Sequence, residues 1–450
     1  MQHDLTDIRR SLENQGIDVI RLIYADLHGT PRSKDLLVSQ LERSAAHGPA
    51  FCEATWVTTF RGGVLTEEGG IDDALPDMVS KLDAGTLRPI PWVPGVAYAI
   101  ADIDNPDGSR SEIAPRAVLR AVLDEYDALG LTPVCGPELE FYFAREVDGK
   151  YERLLNKTGR VYMTGSLVDP DGHYLHLLRM LDQLNVGAFA GNHEFCPSQY
   201  EINLWHSEAM DAADRTFLFK TAVKDVLASR GVLGTFIGKP WNDEGGSGFH
   251  LHFSINDADG INLMASPDSD LSDLGRYAIA GILKHASAIA AFTNPTVNSY
   301  KRLGPDTMAP YRANWGLDNR SAMIRIPPER GAGTRLELRI GDGSANPYIV
   351  IAVVLAAALD GIKAKLAAPK PVEGWSYTSS TEGVVLPMSL DEALDALNAD
   401  ADLRHHLSPK FIDAFTALKR DEAKRYAEEV EDPETRLVTD WELEEYIRDL

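Results

Sequence analysis

Cysteine is scarce in this chain. Cys52, Cys135 and Cys196 are the only three in 450 residues, widely spaced and without a C-x-x-C pair, which argues against a disulfide framework or a thiolate zinc site and reads as free thiols. Positive charge is also short: 44 lysines and arginines face 68 acidic residues, a formal net charge of −24. Phosphate backbones are bound by basic stripes, so no nucleic acid is expected as a partner. An acidic surplus suits divalent cations and cationic substrates, although it more commonly serves solubility. No apolar run approaches the ~20 residues that span a bilayer, and Met1-Gln2-His3-Asp4 does not start a basic region leading into an apolar stretch. No membrane partner is therefore expected, and the location is read as cytoplasmic. Internal repeats, low-complexity segments and a G-x-x-x-x-G-K-[ST] loop are missing as well, so a nucleotide would have to be held by something other than a P-loop.

What remains is ordinary in bulk, with 44% hydrophobic and 25% charged residues and length enough for two or three domains around a large core. The first hundred residues look strand-rich. Ile17 to Tyr24 is β-branched and apolar, Asp26 to Pro31 reads as a turn into a second strand, and Val57 to Gly70 reads as a loop. The turn-forming run Asp104 to Ser109 is the best boundary. Beyond it, Pro115 starts a helix with Val118, Leu119, Val122, Leu123 and Tyr126 on one face, stopped at Gly130. Further helices are expected over Asp211 to Arg230, from Asn346-Pro347 through Leu359, and in the tail, where Ser389/Glu392 and Thr439/Glu442 have capping-box spacing. The class is α+β: a small domain over 1–107 and a larger one over 108–450.

Gly136-Pro137-Glu138-Leu139-Glu140-Phe141-Tyr142-Phe143 organises the rest. Side chains alternate along a strand, so Glu138 and Glu140 share one face and Leu139 and Phe141 the other. Two carboxylates side by side in an apolar run must share a proton, meet arginines or bind a metal, unless the strand is a solvated edge. Asn192 to Glu201 brackets a Pro-containing turn with Glu194 and Glu201, or is a solvated loop. Gly245 to Ser254 runs a glycine-rich loop into a strand with His250, His252 and Ser254 on one face, suited to a metal or an anion, or simply to core histidines. In Thr334 to Ile340, Arg335, Glu337 and Arg339 alternate with leucines, which alone would read as a wet ladder.

Together, Glu138, Glu140, Glu194, Glu201, Glu337 and His250 form a hard, mostly oxygen donor set for two Mg²⁺ or Mn²⁺ ions. Arg302, Arg320, Arg325, Arg335 and Arg339 are candidate anion clamps, and clustered arginines beside such ions point to phosphates.

These segments, from Leu75-Pro76-Asp77 to Ala345-Asn346-Pro347-Tyr348, resemble the bacterial (type I) glutamine synthetase superfamily along nearly the whole chain. The resemblance implies a β-grasp N-terminal domain and a catalytic domain built on an open antiparallel β-barrel flanked by helices. It implies a homo-oligomer, a dodecamer of two hexameric rings with active sites between subunits. ATP and two to three Mg²⁺ or Mn²⁺ ions per site are implied as cofactors, with L-glutamate and a small amine as substrates. Carried over by motif, Glu140, Glu194 and Glu201 resemble the ligands of one metal, and Glu138, His250 and Glu337 those of the metal on the nucleotide phosphates. His252, Arg320, Arg325 and Arg335 match positions that handle ATP phosphates, with Ser254 beside them in the nucleotide set. Arg302 and Arg339 match those that hold glutamate, with Gly246 and Glu140 on the same substrate.

Departures bear on the amine. Where ammonia-using members have Phe-Asp-Gly-Ser-Ser, this chain has Phe51-Cys52-Glu53-Ala54-Thr55-Trp56. Where the flap after Arg302 usually carries a glutamate before Ala-Pro, Met308 stands; methionine takes no proton but offers a flexible apolar surface. Tyr162 matches a tyrosine bordering the same pocket. Arg320, Arg302, Tyr162 and Met308 are thus the catalytic set expected of a glutamate–amine ligase that forms a γ-glutamyl phosphate and uses ethanolamine, a short alkylamine or a polyamine. An ordinary glutamine synthetase, with Glu53 or Asp306 in the missing roles, is the alternative, and a silent sensor or assembly partner a third. Gly245-Gly246 replaces the family's Asn-Gly, which bears on the acid substrate.

Overall fold

Two sheets organise the computed structural model, which describes residues 5–156, 161–305, 307–377 and 383–450. The first contains β1 (Val19–Ala25), β2 (Pro31–Leu37), β3 (Ala50–Cys52), β4 (Asp77–Leu82), β5 (Arg88–Pro89) and β6 (Val96–Asp104) in the order β2-β1-β6-β4-β3, with β5 on β6. The turn between β1 and β2 forms because the buried Asp26 carboxylate accepts from the backbone N–H of His28 and of Thr30, both at 2.9 Å, and from Arg32 Nε at 2.8 Å. An Asp side chain that satisfies the turn's own amides substitutes for a backbone turn.

The second sheet has ten strands: β7 (Thr132–Val147), β8 (Lys150–Arg153), β9 (Ala188–His193), β10 (Gln199–Leu204), β11 (Ser207–Glu208), β12 (Leu233–Thr235), β13 (Phe249–Asn256) and, after the short β14 (Arg312–Ala313), β15 (Trp315–Leu317), β16 (Ile324–Ile326) and β17 (Leu336–Leu338). Its order is β15-β16-β17-β13-β7-β10-β9, with β8, β11 and β12 attached to the long β7, while β14 pairs with β18 (Val384–Val385). The architecture is mixed α+β, a curled half-barrel flanked by helices.

Alternation along β7 separates the two faces. Pro133, Cys135, Pro137 and Leu139 are buried while Val134, Gly136, Glu138 and Glu140 lie half-buried on the other side. On the buried side Phe141 packs edge-on against Phe219 of the helix Ala209–Ala228, ring centroids 6.0 Å apart, and against Phe236 at 5.4 Å. Truncating such a fully buried ring to alanine costs about 3–5 kcal/mol. The helix Pro347–Ala364 is the only one among the described residues long and apolar enough to cross a membrane by length and composition. Every residue from Pro347 to Leu359 is buried, so it is a core helix. Asn346 caps it, its side chain accepting from Tyr348 N. The expected helices at Pro115–Asp127, Ala209–Ala228 and Asp440–Tyr446 are present, the last with a complete Thr439/Glu442 capping box. At the helix Leu390–Ala399 only half the expected box forms, because Glu392 accepts from Met388 N instead of from Ser389.

Arg116 ties the sheets together. Its guanidinium meets Asp83 and Asp102 of the first unit and Asp214 of the Ala209–Ala228 helix at 2.5–2.9 Å, and Tyr348 donates to the same Asp214. A second network, centred on the buried His285 and reaching the surface, joins the helical layers: His285 Nδ1 lies 2.6 Å from Asp400 and Nε2 3.1 Å from Asp360, while the exposed Lys284 meets Asp360 and Asp402. Burial opposes the imidazolium, but the two carboxylates outweigh it and hold the His285 pKa above its usual value. A group whose pKa is raised in the fold stabilises it below the unfolded pKa of about 6.5, and that contribution fades as pH rises through the folded pKa. The melting-temperature gap between wild type and His285→Gln is therefore expected to be larger at acidic than at alkaline pH, measured across that window; an equal gap at both ends would contradict the ion-pair account.

Candidate active site

The strand register assembles the site. In the antiparallel pairing of β7 with β13, His250 lies opposite Glu138 and His252 opposite Gly136. Pairing of β7 with β10 sets Glu201 opposite Glu140 and Asn203 opposite Glu138. On the other flank, β17 sets Glu337 opposite His252, and β16 sets Arg325 opposite Glu337. Directly opposite residues share a face, so five segments distant in sequence deliver their chemistry to one side of the sheet. Glu194 joins from the turn between β9 and β10.

Within this face a Glu138 carboxylate oxygen is 3.4 Å from His250 Nδ1 and the other 3.3 Å from His252 Nε2. Ligand atoms of Glu138, Glu201 and His250 lie within 4.8 Å of one another. Glu140 accepts from Gly248 N at 2.7 Å and Gln199 Nε2 at 3.2 Å, Glu194 from Asn192 Nδ2 at 2.8 Å, and Glu201 from Asn203 Nδ2 at 3.0 Å. Each acid is thereby aimed inward by an amide. Glu337 is held differently, between Arg339 Nη1 and Arg325 Nη1, the latter at 2.7 Å.

The electrostatics divide the cluster. Burial, then repulsion from Glu138, Glu140 and Glu194, pushes Glu201 up to about 10; burial and Glu140 push Glu194 up to about 7. Burial would raise Glu138 and Glu337 too. Hydrogen bonds from His250 and His252 bring Glu138 well below the usual range, and Arg339, His252, His250 and Arg325 bring Glu337 to about 2. Carboxylates this crowded cannot all be charged without a cation among them. The donor set of five carboxylates and one imidazole fits hard divalent ions.

The glycine loop must be glycine. A Cβ on Gly246 would fall 2.4 Å from the Gly238 carbonyl oxygen and 2.6 Å from Arg302 Cγ; on Gly248 it would meet His250 Nε2 at 2.9 Å, Arg302 Nη2 at 3.1 Å and Glu140 Oε1 at 3.3 Å. Backbone thus sits flush against the acids and against Arg302, whose Nη1 donates to Ile340 O at 3.0 Å. Beside them opens a cavity of about 510 Å³ lined by Glu138, His252, Ser254, Arg320, Arg325 and Arg335. Arg335 Nε lies 3.1 Å from His252 Nδ1, and Arg339 Nε donates to the Arg320 carbonyl at 3.0 Å.

The sequence reading missed the far wall of this cavity, where the exposed rings of Phe189 and Trp205 stack at 4.1 Å and 23°. No periodic signal marks them: Phe189 lies at the start of β9 and Trp205 follows β10, and they meet because the antiparallel pairing sets Leu204 opposite Ala188. Two members of the expected set stand at the periphery. Met308 and Tyr162 are exposed, each with φ of 62°, and Tyr162 N donates to His193 O at 2.9 Å. Asp306, and Gly159 and Arg160 ahead of Tyr162, lie outside the described residues.

Acids for metal ions, arginines for phosphates and a cavity of nucleotide size on a curled sheet are the parts of an ATP-dependent carbon–nitrogen ligase. Residues 112–439 match the family described as "Glutamine synthetase, catalytic domain", and the chain belongs to the glutamine synthetase family. It is 36% identical to the glutamine synthetase of Pyrococcus horikoshii over 98% of both chains. Among solved structures it is similar to apo GmaS, TM-score 0.85 at 30% identity over 98% of this chain and 99% of that one. A GmaS/ADP complex gives TM-score 0.86 at 30% identity over 98% of each.

Saturating Mn²⁺ or Mg²⁺ is expected to raise the melting temperature of the wild type, since about 2.7 kcal/mol accrues at a hundred times Kd. Glu138→Ala should lose most of that shift while folding normally without metal. A wild type whose melting temperature ignores both ions would contradict the metal assignment.

Proposed function

We propose that the enzyme joins a small organic amine to the γ-carboxylate of L-glutamate through a γ-glutamyl phosphate. The observation that carries the choice of amine is Met308, exposed and in the left-handed region, where a proton-accepting glutamate is expected of an ammonium user. Similarity to GmaS, a γ-glutamylmethylamide synthetase, supports the reading.

A carboxylate is a poor electrophile, so it must first be phosphorylated. Arg302 and Arg339 hold the glutamate, with the Gly246 backbone against it. His252, Arg320, Arg325 and Arg335 surround the phosphates of ATP, with Ser254 and the Phe189/Trp205 stack towards the base. Glu140, Glu194 and Glu201 would hold one ion, and Glu138, His250 and Glu337 the other. Bound Mg²⁺ or Mn²⁺ would supply Lewis-acid charge to the phosphate oxygens. The γ-carboxylate oxygen bonds to the γ-phosphorus as ADP leaves, and the arginines stabilise the charge spread over the transferring group. The amine nitrogen then bonds to the acyl carbon, phosphate departs with the C–O electron pair, and the amine's proton is released. Met308 and Tyr162 border the amine's alkyl group. Residues 1–107 form a β-grasp domain and residues 108–450 the catalytic domain, in a dodecamer of two hexameric rings with active sites between subunits.

The test is ATP-dependent phosphate release with L-glutamate and Mg²⁺, comparing ammonium with methylamine, ethanolamine, isopropylamine, putrescine and spermine. Faster turnover with an organic amine supports the proposal; a clear preference for ammonium restores the second reading, suggested by the Pyrococcus horikoshii relative. Glu337→Ala is expected to lower turnover by about 10³-fold or more, and retained activity would remove Glu337 from the metal set. Met308→Glu is expected to shift use towards ammonium, whereas an unchanged ammonium-to-amine ratio would discard the flap argument.

A further inference from the structure

The segment Gly374–Tyr377 has no part in the site as described, yet it is fastened to both sides of it. Three polar contacts, two of them buried, tie it to the segments around Arg320, and a fourth bond braces the loop that receives it. Asn319 Nδ2 donates to Gly374 O at 2.8 Å, Ser376 N donates to Ser321 Oγ at 2.9 Å, Asn314 Nδ2 donates to Ser376 Oγ at 3.0 Å, and Ser321 Oγ donates to Asn319 Oδ1 at 2.7 Å. Asn314, Ser321 and Ser376 are buried, so each bond left unmade would strand a polar group away from water.

Its other end grips the loop that carries Met308. Tyr311, three residues beyond Met308, donates its hydroxyl to Tyr377 O at 3.0 Å and stacks its ring on that of Tyr377, centroids 5.9 Å apart and 12° from parallel. Trp375 packs edge-on against Tyr377 at 4.8 Å. Burial lowers the Arg302 pKa, and Tyr377 is one of the groups near enough to favour its charge, with Glu140 and Asp342. One short segment thus touches the end of the Met308 loop through Tyr377 and is bonded beside Arg320 through Gly374 and Ser376.

We propose that Gly374–Tyr377 is a strut, with Tyr311 and Tyr377 as positioning residues, that fixes the Met308 loop relative to Arg302 and Arg320 so that the acyl phosphate meets amine before water. This rests on the proposed function. When the strut loosens, water oxygen bonds to the acyl carbon in place of the amine nitrogen, phosphate leaves with the C–O pair, and glutamate is regenerated with its proton passed to solvent. ATP is then consumed without amide.

The experiment compares wild type, Tyr311→Ala, Tyr311→Phe and Ser321→Ala for phosphate released per amide formed and for amide hydrogen exchange over residues 307–311 and 319–321. Tyr311→Ala is expected to raise phosphate per amide about threefold with little change in KM for ATP, and to speed exchange in both segments about tenfold. Tyr311→Phe keeps the stack and should fall between it and wild type; Ser321→Ala should loosen both segments in the same way. A folded Tyr311→Ala with wild-type exchange, or with an unchanged phosphate-to-amide ratio, overturns the strut. If the wild type makes no amide with any amine, the proposed function fails, and the exchange measurement still decides the strut.

Discussion

Like charges gathered on one face of one sheet are the constraint behind this molecule. Glu138, Glu140, Glu194 and Glu201 crowd together closely enough that two of them are pushed towards the protonated state, while Glu337 stays ionised only because two arginines and two histidines face it. Such a cluster costs stability unless a cation belongs there. The amides of Asn192, Gln199 and Asn203 each spend a donor on one acid, which fixes their direction without neutralising them.

Everything around the cluster keeps that geometry rigid. The long β7 collects partners along both edges, its other face is locked by the Phe141 and Phe236 packing, and Arg116 anchors the first sheet against the helix behind. Close approach of backbone at Gly246 and Gly248 brings Arg302 and the acids together with no side chain between. A well-packed core behind a polar face is what allows catalytic groups to be held within fractions of an ångström.

Much of this was legible in the order of residues. Alternation along Gly136 to Phe143 correctly separated acids from apolar side chains, and Arg335, Glu337 and Arg339 do face the site, although not as a wet ladder, since Glu337 and Arg339 are buried and only Arg335 is partly open to solvent. Pairing register could not be read, because it depends on contacts between strands far apart in sequence, such as Glu140 with Glu201 and Glu138 with His250. Hence the approach of Glu201 to Glu138 and His250 emerges only in the fold, although motif resemblance groups Glu201 with Glu140 and Glu194. The same holds for the Tyr311/Tyr377 stack. Local signals did better where the physics is local: the Asp26 turn, the Asn346 cap and the Thr439 capping box all formed as their spacing implied.

The proposed function joins a family-typical set of acids and arginines to an amine border at Met308 and Tyr162. One competition measurement bears on that combination most directly: equal concentrations of ammonium and of the organic amine turned over fastest, supplied with ATP, Mg²⁺ and L-glutamate, and the products separated by mass. The account predicts the γ-glutamylamide of that amine in excess over glutamine, with one ADP formed per amide. Glutamine as the dominant product would contradict it.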